Sequence, residues 1–143
     1  MEHLWVIFAL LSAVTAALVA IFGKIGLEGI DSHTATAVRA VIMALFLVAV
    51  ILVEGKLANI STILSSSKAL TFIVLSGVAG AVSWLFYFLA LQFGEVSKVA
   101  PIDRLSVVFA ILLALLFLGE KLSLKGAVGA VLLTVGVILL ALS

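Results

Sequence analysis

The sequence predicts an all-α integral membrane protein with five transmembrane helices. Hydrophobic residues fill 66% of the 143 positions and charged residues only 10%, a balance outside the range of soluble globular domains. The apolar residues gather into five runs, 4–23, 34–53, 69–91, 99–118 and 126–142, each near the roughly 17–25 residues that a crossing requires. In hydrocarbon these runs must be helices, because separate strands would leave their backbone groups unpaired. Short polar links join them, so the chain reads as a single transmembrane domain over residues 1–143.

Composition also excludes several functions. There are no cysteines, which removes disulfides, thiolate metal sites and cysteine nucleophiles. The two histidines, His3 and His33, have no partner spacing that suggests a metal, and no cofactor is expected. A net charge of +1 gives no reason to expect nucleic acid as a partner; the lipid bilayer is the partner that the composition does imply.

The first span follows residues 1–4, which lack the basic start and small-residue cleavage site of a signal peptide, so it is expected to be retained. Helical spacing puts Trp5, Phe8, Ser12 and Thr15 on one stripe. Two readings of that stripe stand: a cavity wall for a solute of mixed polarity, or an interfacial aromatic with hydroxyls that bond their own backbone. The link 24–33 carries Gly26 and Gly29 as helix-ending residues, and Ser32 or Thr34 is expected to cap the second helix.

In the second span Arg39 precedes a 14-residue uncharged run, 40–53, and must therefore sit within the first turns of its helix. The link 54–68 is either a short interfacial helix or an ordinary loop. In the third span Ser76, Ser83 and Tyr87 share a face, with Trp84 beside them, while Ser76 with Gly80 and Gly77 with Ala81 form small-xxx-small pairs that admit a neighbouring helix.

The fourth span poses the same problem as the second. Its uncharged run, 105–118, has 14 residues and rises only about 21 Å as a helix, against a hydrocarbon core of about 30 Å. To cross, the helix must begin near Pro101 and carry Asp103 and Arg104 with it. Pro101 is expected in the first turn, where its missing N–H costs least. Asp103 then faces the positive end of the helix dipole and can position Arg104 or Arg39. The fifth span has no internal charge, and Gly126, Gly129 and Gly136 mark it for close contact with another helix, in this chain or in a second one.

Five spans put the termini on opposite faces. One face then holds Lys24, Arg39 and Arg104 with Glu28, Asp31, Glu95 and Asp103, a charged mouth. Snorkelling to headgroups explains Lys24 as readily as a pathway does, whereas the depth of Arg39 and Arg104 favours a polar pathway. Lysine and arginine are tied at four on each face, so the positive-inside bias selects no orientation. Discounting the two embedded arginines gives four against two and favours a cytoplasmic amino terminus. No Asp or Glu lies in the middle third of any span, and no His-Glu metal motif, Gly-x-Ser-x-Gly elbow or phosphate-cradling loop occurs, so no enzyme is expected.

Two strings carry a resemblance: ALQFGEVSKVAPIDRLSVVFAILLALLFLGEKLSLKGAVGAVLLTVGVILL, and the earlier FGKIGLEGIDSHTATAVRAVIMAL, with a lysine ending one helix and an arginine opening the next. Together they resemble an EamA domain of the drug/metabolite transporter superfamily, over essentially the whole chain. The resemblance implies one half of a ten-helix inverted-repeat transporter, moving a small organic solute such as a metabolite, an amino-acid-like compound or a drug by alternating access. The second half is expected from an antiparallel homodimer or from a hetero-dimer with another five-helix unit, in the inner membrane of a prokaryotic cell. Ser12, Thr15, Lys24, Arg39, Ser83, Trp84, Tyr87, Asp103 and Arg104 are the candidate pathway residues, and Gly126, Gly129 and Gly136 the candidate dimer contacts. The related small multidrug resistance proteins use a glutamate in the first helix, where this chain has Ser12 and Thr15, so proton-coupled export of cationic drugs is not implied. The competing expectation is a non-transporting membrane subunit that stabilises or regulates a partner.

Overall fold

A computed structural model describes residues 4–143; His3 lies outside the described residues. The helices are α1 Leu4–Gly26, α2 Ser32–Val53, α3 Asn59–Ser65, α4 Ser67–Phe93, α5 Val96–Asp103, α6 Leu105–Leu113 and α7 Leu124–Leu142, with a π-helical turn at Ala114–Leu118 after α6. Five stretches are long and apolar enough to cross a membrane, α5, α6 and the π turn counting as one span, Val96–Leu118. Their mean hydropathy runs from 2.0 to 2.7, and at most 6% of the most apolar part of any span is buried within the chain. Surfaces of that kind meet lipid or other helices, not water.

The chain divides into two compact units, Gly23–Gln92 and the remainder, formed by Met1–Phe22 with Phe93–Ser143. In the first of these, α2 is capped by Asp31, not by Ser32 or Thr34 as expected. Asp31 is extended (φ −64°, ψ 127°) and its Oδ2 accepts from the Thr34 N–H and hydroxyl, both at 2.8 Å. A carboxylate satisfies two donors at once where a hydroxyl cap satisfies one, and it also complements the helix dipole. The link after α2 contains α3, a single short helix, and an ion pair of 2.7 Å between Lys56 and Glu54.

In the other unit α5 and α6 pack on α7. The fourth span starts at Val96, not near Pro101, because extended Glu95 is the N-cap and its carbonyl accepts from the N–H groups of Lys98 and Val99. Pro101 is therefore inside the helix, where it removes the donor for the Ser97 carbonyl. Two residues later α5 ends, and the Arg104 N–H bonds to the Pro101 carbonyl three residues back. Asp103 closes α5 instead of opening a helix, and Arg104 is the joint. At its far end the span winds into the π turn and stops at Gly119, whose φ of 67° suits glycine and whose N–H bonds to the Ala114 carbonyl. Ser123 caps α7, its Oγ accepting from the Gly126 N–H at 3.1 Å.

Candidate functional site: a basic and aromatic cluster on one face of α4

Trp84, Phe88 and Leu91 recur along α4 at spacings of four and three, which places them on one helical face. Three groups from α1 and α2 converge there. Gly23, without a side chain, lets α1 approach so closely that a Cβ would lie 3.1 Å from Phe88 Cζ and 3.7 Å from Leu91 Cδ1. One residue on, Lys24 Nζ donates a 2.6 Å hydrogen bond to the Leu91 carbonyl. That oxygen is among the last four carbonyls of α4, which have no partner within their own helix, and a cation at this end also complements the dipole. Leu91 itself is fully buried at 0% exposure.

From α2, Arg39 lays its guanidinium over the Trp84 ring at 3.7 Å from the centroid and 5.2 Å from that of Phe88. Tyr87 meets Trp84 edge-on at 5.6 Å and Phe88 at 6.2 Å, which fixes the ring that carries the cation. Arg39 is the eighth residue of α2, so it lies roughly 10 Å along the helix axis from the start. A charge at the centre of a spanning helix costs about 2.5–3.5 kcal/mol on insertion scales, and a desolvated cation–π contact contributes about 2 kcal/mol. Nearer the end of the span the cost is smaller, so the aromatic faces offset much of it. Within its own unit these rings are the partners of Arg39.

The same unit forms an open cavity of about 730 Å³, walled by Lys24, Leu27, Glu28, Asp31, Leu91 and Gln92 among others. Acid, base and amide meet in it, with Leu27 and Leu91 as an apolar floor. Thr34, through its N–H first and its hydroxyl second, holds the Asp31 carboxyl below its ordinary value. Ser32, beside it, is 1% exposed, and its Oγ has no hydrogen-bond partner among the described residues.

Of the candidate pathway residues, Lys24, Arg39, Trp84 and Tyr87 meet in this cluster. Ser83, one turn before Tyr87 on α4, is exposed. In the other unit Ser12 is exposed, and Thr15 Oγ1 donates to the carbonyls of Leu11 and Ser12 at 2.9 and 3.0 Å. There too Asp103 is half-buried and Arg104 exposed. Gly126 is occupied by its own chain, since a Cβ would lie 2.7 Å from Leu122 Cδ1, whereas Gly129 and Gly136 have nothing among the described residues within 4 Å. Reading the sequence missed Gly23, Phe88 and Leu91. The stripe Trp84, Phe88, Leu91 was the available signal, hidden in a helix that is apolar on every side.

A model of the EamA-like transporter family matches residues 3–142. A protein of Sinorhizobium sp. described as an uncharacterized transporter in the cobO 3' region is 40% identical over 141 residues, covering 99% of this chain and 99% of its own. An uncharacterized protein of Methanocaldococcus jannaschii is 32% identical over 102 residues, covering 71% of this chain and 72% of its own. No solved structure matches.

Proposed function

The chain belongs to the EamA-like transporter family, and from that premise we propose that it carries a small organic solute across a membrane by alternating access. The observation that carries the reading is the cavity beside the basic and aromatic cluster: a polar recess at the end of a span, with a cation one to two turns further in. A group of that kind inside a span is costly unless it is used, which makes a pathway the economical account. The relative named as a transporter has the same length as this chain, in support of a five-helix unit as the working half.

The second half is a further copy, inserted in the opposite orientation, so that ten helices surround the solute and a charged mouth opens on each face. The tied lysine and arginine count is compatible with this arrangement, and a hetero-dimer with another five-helix unit is the alternative. Lys24, Arg39, Trp84 and Tyr87 line the pathway in this reading, with Ser12, Thr15, Ser83, Asp103 and Arg104 contributing from further along the spans. Gly129 and Gly136 make the contact between copies. The protein works as a carrier and not as a catalyst, in the inner membrane of a prokaryotic cell.

The test is flux. Protein reconstituted into liposomes and offered a pooled mixture of metabolites, amino acids and drugs should accumulate or release at least one of them, and both Arg39→Ala and Arg104→Ala should reduce that movement while leaving helix content unchanged. No movement of any solute, together with a stable solute-independent complex with an unrelated membrane protein, would support a stabilising or regulatory subunit instead.

A further inference from the structure

We infer that Arg39 is an oxyanion-binding residue whose ligand presents a carboxylate or phosphate group edge-on to the guanidinium. A guanidinium has two chemically distinct surfaces. Its flat faces stack on aromatic rings, and its edge carries five N–H donors in a rigid fork. Arg39 Cζ lies over the Trp84 ring at 3.7 Å from its centroid, the separation of a stacked plane, with the Phe88 centroid at 5.2 Å. Its edge is uncommitted: among the described residues no carboxylate, carbonyl or hydroxyl accepts a hydrogen bond from it.

The acids nearest in sequence are otherwise placed. Asp31 Oδ2 caps α2 through Thr34, Glu54 pairs with Lys56, and Glu28 is exposed on the cavity wall. A half-buried, always-charged group with its donors unmet, inside a span, calls for an acceptor from outside the chain. Stacking prepares it for one. The rings hold the guanidinium plane, so the fork is oriented before the ligand arrives, and two oxygens on one carbon or phosphorus atom match its spacing.

The position suits a ligand coming from the cavity. Leu91 belongs to the cavity wall, and Phe88, which carries part of the Arg39 contact, lies one turn earlier on the same helix. Lys24, whose ammonium is held by the Leu91 carbonyl, adds positive potential at the threshold. Two sources share the required chemistry, an organic acid or phosphate ester in solution and the headgroup of an anionic lipid.

This inference adds a recognised group to the transport reading, and binding tests it without flux. Trp84 reports directly, because its ring is the surface on which Arg39 rests; a Trp5→Phe background leaves it the sole tryptophan. The protein is placed in phosphatidylcholine nanodiscs and titrated with inorganic phosphate and with benzoate, against chloride at constant ionic strength. A parallel set of nanodiscs contains increasing phosphatidylglycerol. The expected result is a saturable change in Trp84 emission with at least one oxyanion, weakened about tenfold or more in Arg39→Lys, which keeps the charge but loses the fork. A response to phosphate or benzoate in phosphatidylcholine identifies a soluble ligand; a response to phosphatidylglycerol alone identifies the headgroup, with the oxyanion site intact. No saturable response in the unaltered Arg39 protein to any of the three overturns the inference, as does a response that Arg39→Lys leaves unchanged. Oxyanion binding without flux would remove the transport reading and keep the site, and flux without oxyanion binding would do the reverse.

Discussion

Lys24 Nζ and the Leu91 carbonyl oxygen lie 2.6 Å apart, so the last residues of α1 close the end of α4. The Leu91 carbonyl, one of the last four of α4, has no backbone partner within its own helix. A hydrogen bond from a charged donor contributes about 1.5–3 kcal/mol, less where one side is partly exposed. Lys24→Met retains the apolar stem and removes the donor, and should lower the thermal stability of the detergent-solubilised protein by about 1–2 kcal/mol. Amide exchange should rise in 88–93 first. A variant as stable as the parent, with the end of α4 equally protected, would show that this bond contributes nothing.

Gly23 and Gly77 should respond to alanine in opposite directions. Alanine in place of glycine gains about 1 kcal/mol of helix propensity. At Gly23 the new methyl meets the ring of Phe88, which is 3% exposed and flanked by Trp84 and Tyr87, so the ring has little room to retreat. Overpacking of this kind costs about 1–3 kcal/mol, and the net effect should be a loss of up to about 2 kcal/mol with a shift in Trp84 emission. Gly77 has nothing of the described chain within 4 Å, and its substitution should be neutral or stabilising. Equal gains at both positions would contradict the close approach of α1 to α4.

Much of this was legible in the sequence, and the reason is physical. Hydrocarbon demands long apolar helices, so the five spans emerged within a few residues of their observed ends, and the uncharged run 105–118 required Asp103 and Arg104 to enter the fourth span, as they do. Lys24, Arg39, Trp84 and Tyr87 stood out as polar or amphipathic residues against an apolar background. What the sequence concealed was pairing. Phe88 and Leu91 look like any other apolar residues of α4, and the donor-to-carbonyl bond of Lys24 depends on which helix end lies beside it, which spacing within one helix does not encode. Pro101 misled because a proline one turn into a helix and a proline at its first residue have the same local signature; the extended Glu95 decided between them.

Asp31 makes the start of α2 sensitive to acid. Its carboxyl is held below the ordinary value of 3.8 by the Thr34 N–H and then by the Thr34 hydroxyl. The stabilisation is therefore complete above about pH 4 and is lost as pH falls through the lower, folded-state value. Thermal midpoints measured between neutral pH and about pH 3 should fall for the parent protein over the lowest part of that range. Asp31→Asn, which caps comparably but does not titrate, should lack that component. If both proteins show the same acid dependence, the cap is not its source.

Gly129 and Gly136 probe contact with a second chain. Among the described residues nothing lies within 4 Å of a Cβ at either position, so a side chain there starts into open space. Gly129→Leu and Gly136→Leu should leave the helix content of each chain unchanged and should weaken the dimer, read as a lower yield of cross-linked pairs in membranes. Gly126→Leu is a useful contrast, because there the new side chain meets the exposed Leu122 of its own chain, which has to turn aside, before it can meet a second copy. Undiminished cross-linking in the Gly129 and Gly136 variants would remove this face of α7 from the interface.

The most direct test of a ten-helix carrier built from two opposed copies is the membrane sidedness of the carboxyl terminus. Two reporters, one active only in the cytoplasm and one only outside it, are fused in separate chains after Ser143. The account predicts strong activity from both, in comparable amounts, the result expected of a chain that enters the membrane in both orientations. Activity from one reporter alone would contradict the antiparallel homodimer and require a different five-helix partner.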